Sequence, residues 1–193
     1  MLKTLRQEVF FLCYDTYMKT ILTITEQDIN PQAPIVDVSQ FREREAARAV
    51  LKDESGQIYL LNVSKHGYYK LPGGGIDEGE SAEQALMREL MEEVGCRAEI
   101  ITELGSIVEF RDYDDGGLRQ TSYCYLARQV GEQQESALED GELDEGMFEV
   151  MAKNIDAAIE LLSNDKPDNL EGEFIQKRDL YILRAAKAAM QAN

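Results

Sequence analysis

Three glutamates, Glu89, Glu92 and Glu93, lie in the stretch 71–96 at a spacing that would place them on one face of a helix. Side chains at i, i+3 and i+4 are neighbours on a helix surface, so three carboxylates in this arrangement repel one another. The repulsion costs stability unless the carboxylates share a cation. This spacing predicts a helix that carries one side of a metal site, and it constrains the fold more than any other feature of the chain.

The same stretch contains signals for both ends of the helix. Ser81 followed by Gln84 is a capping box, which marks a helix start, and Gly95 is typical of the left-handed residue that follows a helix. We predict a helix over residues 82–93 that packs on a sheet through an apolar stripe and holds its carboxylates at the rim of that sheet. The stripe consists of Leu86, Leu90 and Val94.

The composition indicates one folded domain in a reducing compartment. A chain of 193 residues, 44% hydrophobic and 30% charged, is long enough for one full core and is ordinary for a soluble protein. No apolar run is long enough to cross a bilayer, and the N-terminus lacks the cleavage site of a signal peptide. The cysteines are not in metal-ligand spacing and fit reduced thiols: Cys13, Cys96 and Cys124. We therefore predict a cytoplasmic protein with no membrane partner.

The net charge is −17, from 20 basic and 37 acidic residues. A surface this acidic repels a nucleic-acid backbone, and no basic cluster in the sequence marks a footprint for one. We therefore predict a small-molecule ligand and no nucleic-acid polymer as partner. A small anionic ligand is compatible with this charge if a divalent metal supplies positive charge locally. The charge neither requires nor excludes a homodimer.

Residues 1–40 carry the least information, and we interpret them as an N-terminal extension or an edge strand. Their strand-like segment is short and precedes a proline-rich connection: Ile21, Leu22 and Ile24, then residues 30–34. Met18 would serve as a start of its own, so we predict that residues 1–17 are dispensable. The main domain is expected over residues 41–193.

The rest of the chain predicts strands, one helix, more strands and then two helices. This order is typical of the α+β class, or of a mixed sheet with helices on its faces. The predicted strands cover residues 47–51 and 58–63, which would form a hairpin, 98–110 and 118–130 around the turn signal Asp-Asp-Gly-Gly at 114–117, and 147–151. The later predicted helices cover residues 155–162, capped by Asn154, and 172–190.

The metal-site helix is part of a longer pattern that resembles the signature of the Nudix hydrolases. Gly74 is followed after five residues by Glu80, and after seven more by a run that completes the helix. Every charged and glycine position of the signature is filled, and the one departure is Cys96, where the family usually has an aliphatic residue. The run comprises Arg88, Glu89, Leu90, Glu92, Glu93 and Gly95.

The resemblance implies a Nudix-type α/β/α sandwich with a mixed sheet and a C-terminal helix. It also implies a hydrolase of phosphoanhydride bonds that uses Mg²⁺, with Mn²⁺ as a substitute. The implied metal ligands are Gly74, through its carbonyl, together with Glu89, Glu92 and Glu93. Clustered carboxylates suit Mg²⁺, and glycine allows a backbone carbonyl to approach a metal closely.

Further residues have separate predicted roles. We interpret Glu80 and Arg88 as a structural pair that fixes the glycine loop onto the helix. Glu89 and Glu92 are the catalytic candidates on the helix, with Glu89 able to orient or deprotonate the attacking water. The acidic loop predicted over residues 131–146 offers an alternative base, for which we select Glu142.

The substrate is less determined than the reaction. Nudix enzymes as a class cleave nucleoside diphosphates linked to another moiety. The proline typical of the ADP-ribose group is replaced by Arg111, and a single tyrosine, Tyr113, matches the dinucleoside polyphosphate group. We therefore predict a nucleoside triphosphate, oxidised or not, as the substrate of a pyrophosphohydrolase. The alternatives are a dinucleoside polyphosphate or ADP-ribose-type hydrolase and a non-catalytic nucleotide-sensing module. The predicted substrate contacts are Tyr68, Tyr69, Arg111 and Tyr113.

Overall fold

The computed structural model describes residues 18–113 and 116–192. Over these residues the fold is organised around a mixed sheet of seven strands. The strands are β1 (Thr20–Ile24), β2 (Arg42–Lys52), β3 (Ile58–Val63), β4 (Tyr68–Lys70), β5 (Ala98–Arg111), β6 (Leu118–Gln129) and β7 (Met147–Ala152). Their order across the sheet is β1-β5-β6-β2-β3-β4, and β7 pairs with β3. The pairs β1–β5 and β2–β6 are parallel, and the others are antiparallel.

Helices cover both faces of this sheet. They are α1 (Glu26–Ile29), α2 (Ala82–Val94), α3 (Asp140–Asp144), α4 (Ile155–Asn164) and α5 (Leu170–Ala192). One apolar cluster joins α2 to one face of β2, β3 and β6, and a second joins α4 and α5 to the opposite face. The predicted α/β/α sandwich with a mixed sheet and a C-terminal helix is therefore confirmed.

Helix α2 begins and ends where its sequence signals predict. The Ser81 side chain accepts a hydrogen bond from the backbone of Gln84, whose own side chain accepts one from the backbone of Ser81. Gly95 adopts the left-handed conformation, with φ 61° and ψ 22°. The stripe of Leu86, Leu90 and Val94 is fully buried. Each of these side chains contributes about 1.5–3 kcal/mol through burial, which anchors the acidic face of the helix at a fixed depth.

The first predicted hairpin is present only at its base. Strands β2 and β3 pair at Lys52 and Ile58 and then separate. The segment 72–76 lies along the freed part of β2: the carbonyls of Pro72 and Gly74 accept hydrogen bonds from β2 backbone amides, and the amide of Ile76 donates one back. The sheet therefore holds the glycine-rich segment as an irregular extra strand, and this places it beside α2.

Gly73 is required where the segment 72–76 touches β2. It has a φ of 128°, and a Cβ at this position would lie 2.2 Å from the carbonyl oxygen of Ala47. No residue with a side chain fits so close to a strand backbone. The glycine therefore permits the hydrogen-bonded approach of segment and strand.

Strand β2 is longer than predicted, because its first residues alternate Arg and Glu and lack an apolar signal. They are held by a continuous parallel register with β6, from Arg42 opposite Leu118 to Lys52 opposite Arg128. The segment after β6 was predicted as a loop and contains the short helix α3. The predicted strand over residues 58–63 is confirmed at both ends.

Both ends of the described chain are integrated into the fold. Strand β1 lies at the sheet edge beside β5, and its Ile24 is fully buried. In α5, Phe174, Leu183 and Ala186 are fully buried. The predicted dispensability of residues 1–17 and the first half of the 114–117 turn lie outside the described residues. Within the described ranges, no helix combines the length and apolarity needed to cross a membrane.

The C-terminal end of α2 provides a test of this packing. A Cβ at Gly95 would lie 2.0 Å from the carbonyl oxygen of Gln134, in addition to the strain of a left-handed conformation. We expect Gly95→Ala to lower the free energy of unfolding in urea by more than about 3 kcal/mol. Gly131→Ala is the matched control, because Gly131 has a φ of 75° but nothing within 4 Å of its Cβ position. The control should lose only about 1 kcal/mol, and equal losses would contradict a steric requirement at Gly95.

Candidate active site

A cleft of about 220 Å³ opens between the glycine-rich segment, α2, α3 and α5. One part of its lining is acidic and comes mainly from two helices: Glu89, Glu92 and Glu93 on α2, Glu139, Glu142 and Glu145 at α3, and Glu171 on α5. The other part is basic: Arg44, Arg48, Lys70 and Arg178. The structure thus brings the three spaced glutamates together with Glu142, Gly74 and Tyr68, and adds four cationic side chains that sequence analysis did not identify.

Arg88 connects the glycine-rich segment to α2. Its Nε and one Nη each donate a hydrogen bond to the Glu80 carboxylate, at 3.0 and 2.9 Å, and the same Nη donates to the carbonyl of Gly75 at 3.0 Å. Its second Nη donates to Glu89 at 2.9 Å and to Glu92 at 3.2 Å. A single guanidinium therefore holds the loop in place and reduces the repulsion between two carboxylates of the acidic face.

Glu93 is the most deeply buried of the three spaced glutamates, with 2% of its surface exposed. Its carboxylate accepts a hydrogen bond from the amide of Gly73 and pairs with Nζ of Lys70 at 3.0 Å. Burial raises the pKa of the Glu93 carboxyl above its usual value, and Lys70 opposes that shift. The Lys70 ammonium is also 3.9 Å from Glu142, so it connects α2 to α3 across the cleft.

Glu89 faces the glycine-rich segment at close range. A Cβ at Gly74 would lie 2.2 Å from an oxygen of the Glu89 carboxylate, so glycine leaves the space that this carboxylate uses. Burial raises the pKa of Glu89, and the nearby charge of Glu93 raises it further, whereas Arg88 lowers it. These carboxylates are thus desolvated and mutually repelling, an environment that favours uptake of a cation.

The donor chemistry of the site fits a divalent metal, although the side chains are paired with protein cations. Among residues 18–113 and 116–192, no three His, Cys, Asp or Glu side chains converge on a metal-binding point. Arg88 holds Glu89 and Glu92, and Lys70 holds Glu93. The carboxylate oxygens are hard ligands suited to Mg²⁺. The carbonyl of Gly74 accepts a hydrogen bond from Ala47, which leaves one lone pair for a further contact.

The predicted substrate contacts divide into two groups. Tyr68 lines the cleft, and Tyr113 lines a second cavity beside it. Tyr69 instead packs against the apolar cluster of α4 and α5. Arg111 is 1% exposed, donates a 2.8 Å hydrogen bond to Glu109 and lies over the ring of Phe174. Tyr69 and Arg111 therefore do not line the cleft, because their side chains are committed to the packing of the core.

The second cavity, of about 780 Å³, extends the cleft along the sheet. Arg44 and Glu171 line both spaces. The rest of its lining comes from the first residues of β2 and the β5–β6 connection: Gln40, Arg42, Tyr113, Gly116, Gly117 and Leu118. The two spaces thus provide room for a ligand longer than a phosphate group.

The basic lining of the cleft has only a partial signal in the sequence. Arg42, Arg44 and Arg48 have the same parity along β2, so a strand places them on one face. That placement requires the strand to begin at Arg42, and the alternating charges of residues 42–45 give no apolar signal for such an early start. Arg178 carries no local signal, because only tertiary packing brings α5 to the cleft.

Comparison with known proteins agrees with this fold. The NUDIX domain family model matches residues 42–165, so the chain belongs to the Nudix family. The chain is 33% identical over 147 residues to an RNA pyrophosphohydrolase of Teredinibacter turnerae, covering 73% of this chain and 74% of that protein. It is 34% identical over 143 residues to an RNA pyrophosphohydrolase of Shewanella oneidensis, covering 68% of this chain and 75% of that protein. The chain is thus a hydrolase that acts on phosphoanhydride bonds.

Two further likenesses are more limited. A putative 8-oxo-dGTP diphosphatase of Bacillus subtilis is 39% identical over 61 residues, or 32% of this chain and 41% of that protein. A NUDIX hydrolase structure from Nitrosomonas europaea superimposes with a TM-score of 0.54 at 15% identity, covering 77% of this chain and 90% of that one. The solution structure of the E. coli ORF135 protein superimposes with a TM-score of 0.51 at 19% identity, covering 83% of this chain and 98% of that one. At these identities the two structures support the fold alone.

The contacts of Arg88 generate a stability prediction. Arg88→Met would leave the Gly75 carbonyl and one Glu80 oxygen without their donor and would leave Glu89 and Glu92 without their shared cation, so we expect it to lower the free energy of unfolding in urea by more than the loss of a surface salt bridge does. Arg128→Met is the control, because Arg128 donates two hydrogen bonds to one oxygen of Glu99 on the exposed surface. That substitution should cost at most about 1 kcal/mol. An Arg88→Met protein as stable as the control would contradict a structural role for this contact.

Proposed function

We propose that the chain is a Mg²⁺-dependent pyrophosphohydrolase that cleaves a nucleoside 5′-triphosphate. The observation that carries this proposal is the pairing of opposite charges across one cleft. Glu89, Glu92 and Glu93 supply clustered hard ligands on one side, and four cationic side chains lie on the other. A phosphoanhydride substrate needs both a cation to neutralise its oxygens and positive side chains to orient it.

The residues of the chain have distinct roles in this proposal. Gly74, Glu89, Glu92 and Glu93 would hold the cation, which when bound supplies Lewis-acid polarisation of the phosphate and a water of lowered pKa. Either Glu89 or Glu142 would accept the proton of the attacking water. Both line the cleft, and Glu142 projects from α3 rather than from the ligand-bearing helix.

A second candidate substrate is the 5′-triphosphate end of an RNA chain. Two relatives are named RNA pyrophosphohydrolases, and this chain matches about three quarters of the length of each. The cavity beside the cleft supports this candidate, because Arg42, Arg44 and Tyr113 could contact the first nucleotides of a longer ligand. The net charge of −17 opposes it, since the rest of the surface repels a polyanion.

A substrate panel distinguishes these candidates. The purified protein would be incubated with nucleoside triphosphates, 8-oxo-dGTP, a dinucleoside polyphosphate, ADP-ribose and a 5′-triphosphorylated RNA oligonucleotide, with Mg²⁺ or with EDTA. We expect pyrophosphate release from a mononucleotide at the highest kcat/KM, and none in EDTA. A higher kcat/KM on the RNA would transfer the proposal to the second candidate. Nucleotide binding without turnover of any compound would favour a sensing module and contradict the enzymatic proposal.

The role of Glu93 generates a prediction about rate. Glu93→Gln removes one ligand charge at nearly constant volume, so we expect kcat to fall by at least about 100-fold while the protein remains folded. The measurement is pyrophosphate release with Mg²⁺ in excess. Glu83→Gln is the matched control, because Glu83 lies on the same helix with its side chain exposed to solvent. A near-wild-type rate for Glu93→Gln would remove this residue from the site.

The identity of the base generates a separate prediction. If Glu142 accepts the proton, Glu142→Gln should lower kcat by about 100-fold and leave KM within about twofold. Glu132→Gln, at an exposed position of the segment before α3, is the control. An unchanged kcat would show that Glu142 is not the base and leave Glu89 in that role.

A further inference from the structure

Arg48 is a buried guanidinium without a carboxylate partner at the floor of the cleft. It lies on β2 with 7% of its surface exposed, and it lines the cleft beside Arg178. Its Nε has no hydrogen-bond partner, and one Nη donates only a long hydrogen bond, 3.4 Å, to the carbonyl of Ala47. Over residues 18–113 and 116–192, no salt bridge to Arg48 is present.

The carboxylates whose charges act on Arg48 are already paired with other groups: Glu89, Glu93 and Asp179. Arg88 donates to Glu89, Lys70 and the Gly73 amide contact Glu93, and Arg178 and the Leu71 amide donate to Asp179. Among the described residues, none of these three carboxylates forms a hydrogen bond or a salt bridge with Arg48. The charge of Arg48 is compensated only at a distance.

Such a side chain is costly for the fold. Burial of an unpaired cation removes its hydration, and no hydrogen-bonded ion pair replaces the lost contacts with water. Burial, and next the nearby charge of Arg178, lower the pKa of Arg48 to about 10. Because this pKa lies well above 7, the side chain still carries its charge at neutral pH. The cost of burying this charge is offset when an anion enters the cleft and accepts hydrogen bonds from the free N–H groups of Arg48.

We propose that Arg48 and Arg178 form the floor of a phosphate-binding subsite on the wall opposite Glu89, Glu92 and Glu93. Its ligand is a phosphate group of a di- or triphosphate, and the pyrophosphate product carries the same chemistry. The subsite deepens the proposed function, and rests on it for the identity of the substrate. Arg178 is held in position by Glu109 and Asp179.

Arg44 extends the subsite towards the second cavity. It lies four residues before Arg48 on β2, and so on the same face of the strand. It donates a 3.1 Å hydrogen bond to the side chain of Gln120, which fixes it at the border of both spaces. A polyphosphate bound at Arg48 would therefore direct the rest of the substrate past Arg44.

The experiment measures anion binding without turnover. Isothermal titration calorimetry with inorganic pyrophosphate in EDTA is suitable, because it excludes turnover and metal-mediated binding, and because Arg88 and Lys70 pair with the carboxylates of α2. We expect the wild-type protein to bind pyrophosphate and Arg48→Met to bind it at least about tenfold more weakly. Arg128→Met, far from the cleft, should bind as the wild type does. Absence of binding to the wild type, or equal affinity of Arg48→Met and wild type, would overturn the subsite.

A stability measurement separates binding from a structural role. Without ligand, Arg48→Met should be at least as stable as the wild type, because it removes an unpaired buried charge and keeps the volume of the side chain. Arg111→Met is the matched control: Arg111 is similarly buried, but its loss leaves one oxygen of the buried Glu109 carboxylate without its donor, so this variant should be less stable. A ligand-free Arg48→Met protein that loses as much stability as Arg111→Met would overturn the proposal.

A competition arm identifies the source of the phosphate group. A non-hydrolysable nucleoside triphosphate analogue should displace pyrophosphate from the wild-type protein if the subsite serves the substrate. Failure to displace it would overturn the assignment to substrate, since the subsite would then take free phosphate compounds only. Pyrophosphate binding with no hydrolysis of any compound in the panel would contradict the proposed function and leave the subsite itself supported.

Discussion

The bidentate contact between Arg88 and Glu80 is the interaction on which the candidate site depends. It joins the glycine-rich segment to α2, and the same guanidinium holds Glu89 and Glu92 close together. The segment is fixed from its other side by backbone hydrogen bonds to β2. Loop and helix therefore act as one unit, and the acidic face keeps its position although its charges repel.

The distribution of charge explains how a strongly acidic chain can bind an anionic substrate. The net charge is −17, yet Arg44, Arg48, Lys70 and Arg178 all line one small cleft. Before a metal binds, Arg88 and Lys70 compensate the carboxylates of α2. In our proposal a divalent cation takes over that compensation, and the cationic wall then orients the phosphate groups. The surrounding acidic surface disfavours long polyanions but leaves a small substrate access to the cleft.

Local and tertiary features differ in how far the sequence could predict them. The ends of α2 and the shared face of its glutamates follow from helix periodicity and capping, which involve residues only a few positions apart. The roles of Tyr69 and Arg111 could not be judged in this way, because the side to which a strand residue points depends on which strands and helices pair around it. Arg178 reaches the cleft only because α5 packs on the sheet, more than 80 residues along the chain from the glutamates of α2. The sequence therefore predicted the metal-ligand candidates and the family, whereas the basic wall required the fold.

The most direct test of the account is to locate a divalent cation in the protein. Crystals grown with Mn²⁺ would be measured for anomalous scattering. We expect one or more peaks within ligand distance of Glu89, Glu92 and Glu93, with Arg88 and Lys70 displaced from at least one of these carboxylates. An anomalous map with Mn²⁺ bound elsewhere and none at α2, under conditions that saturate the protein with the metal, would contradict it.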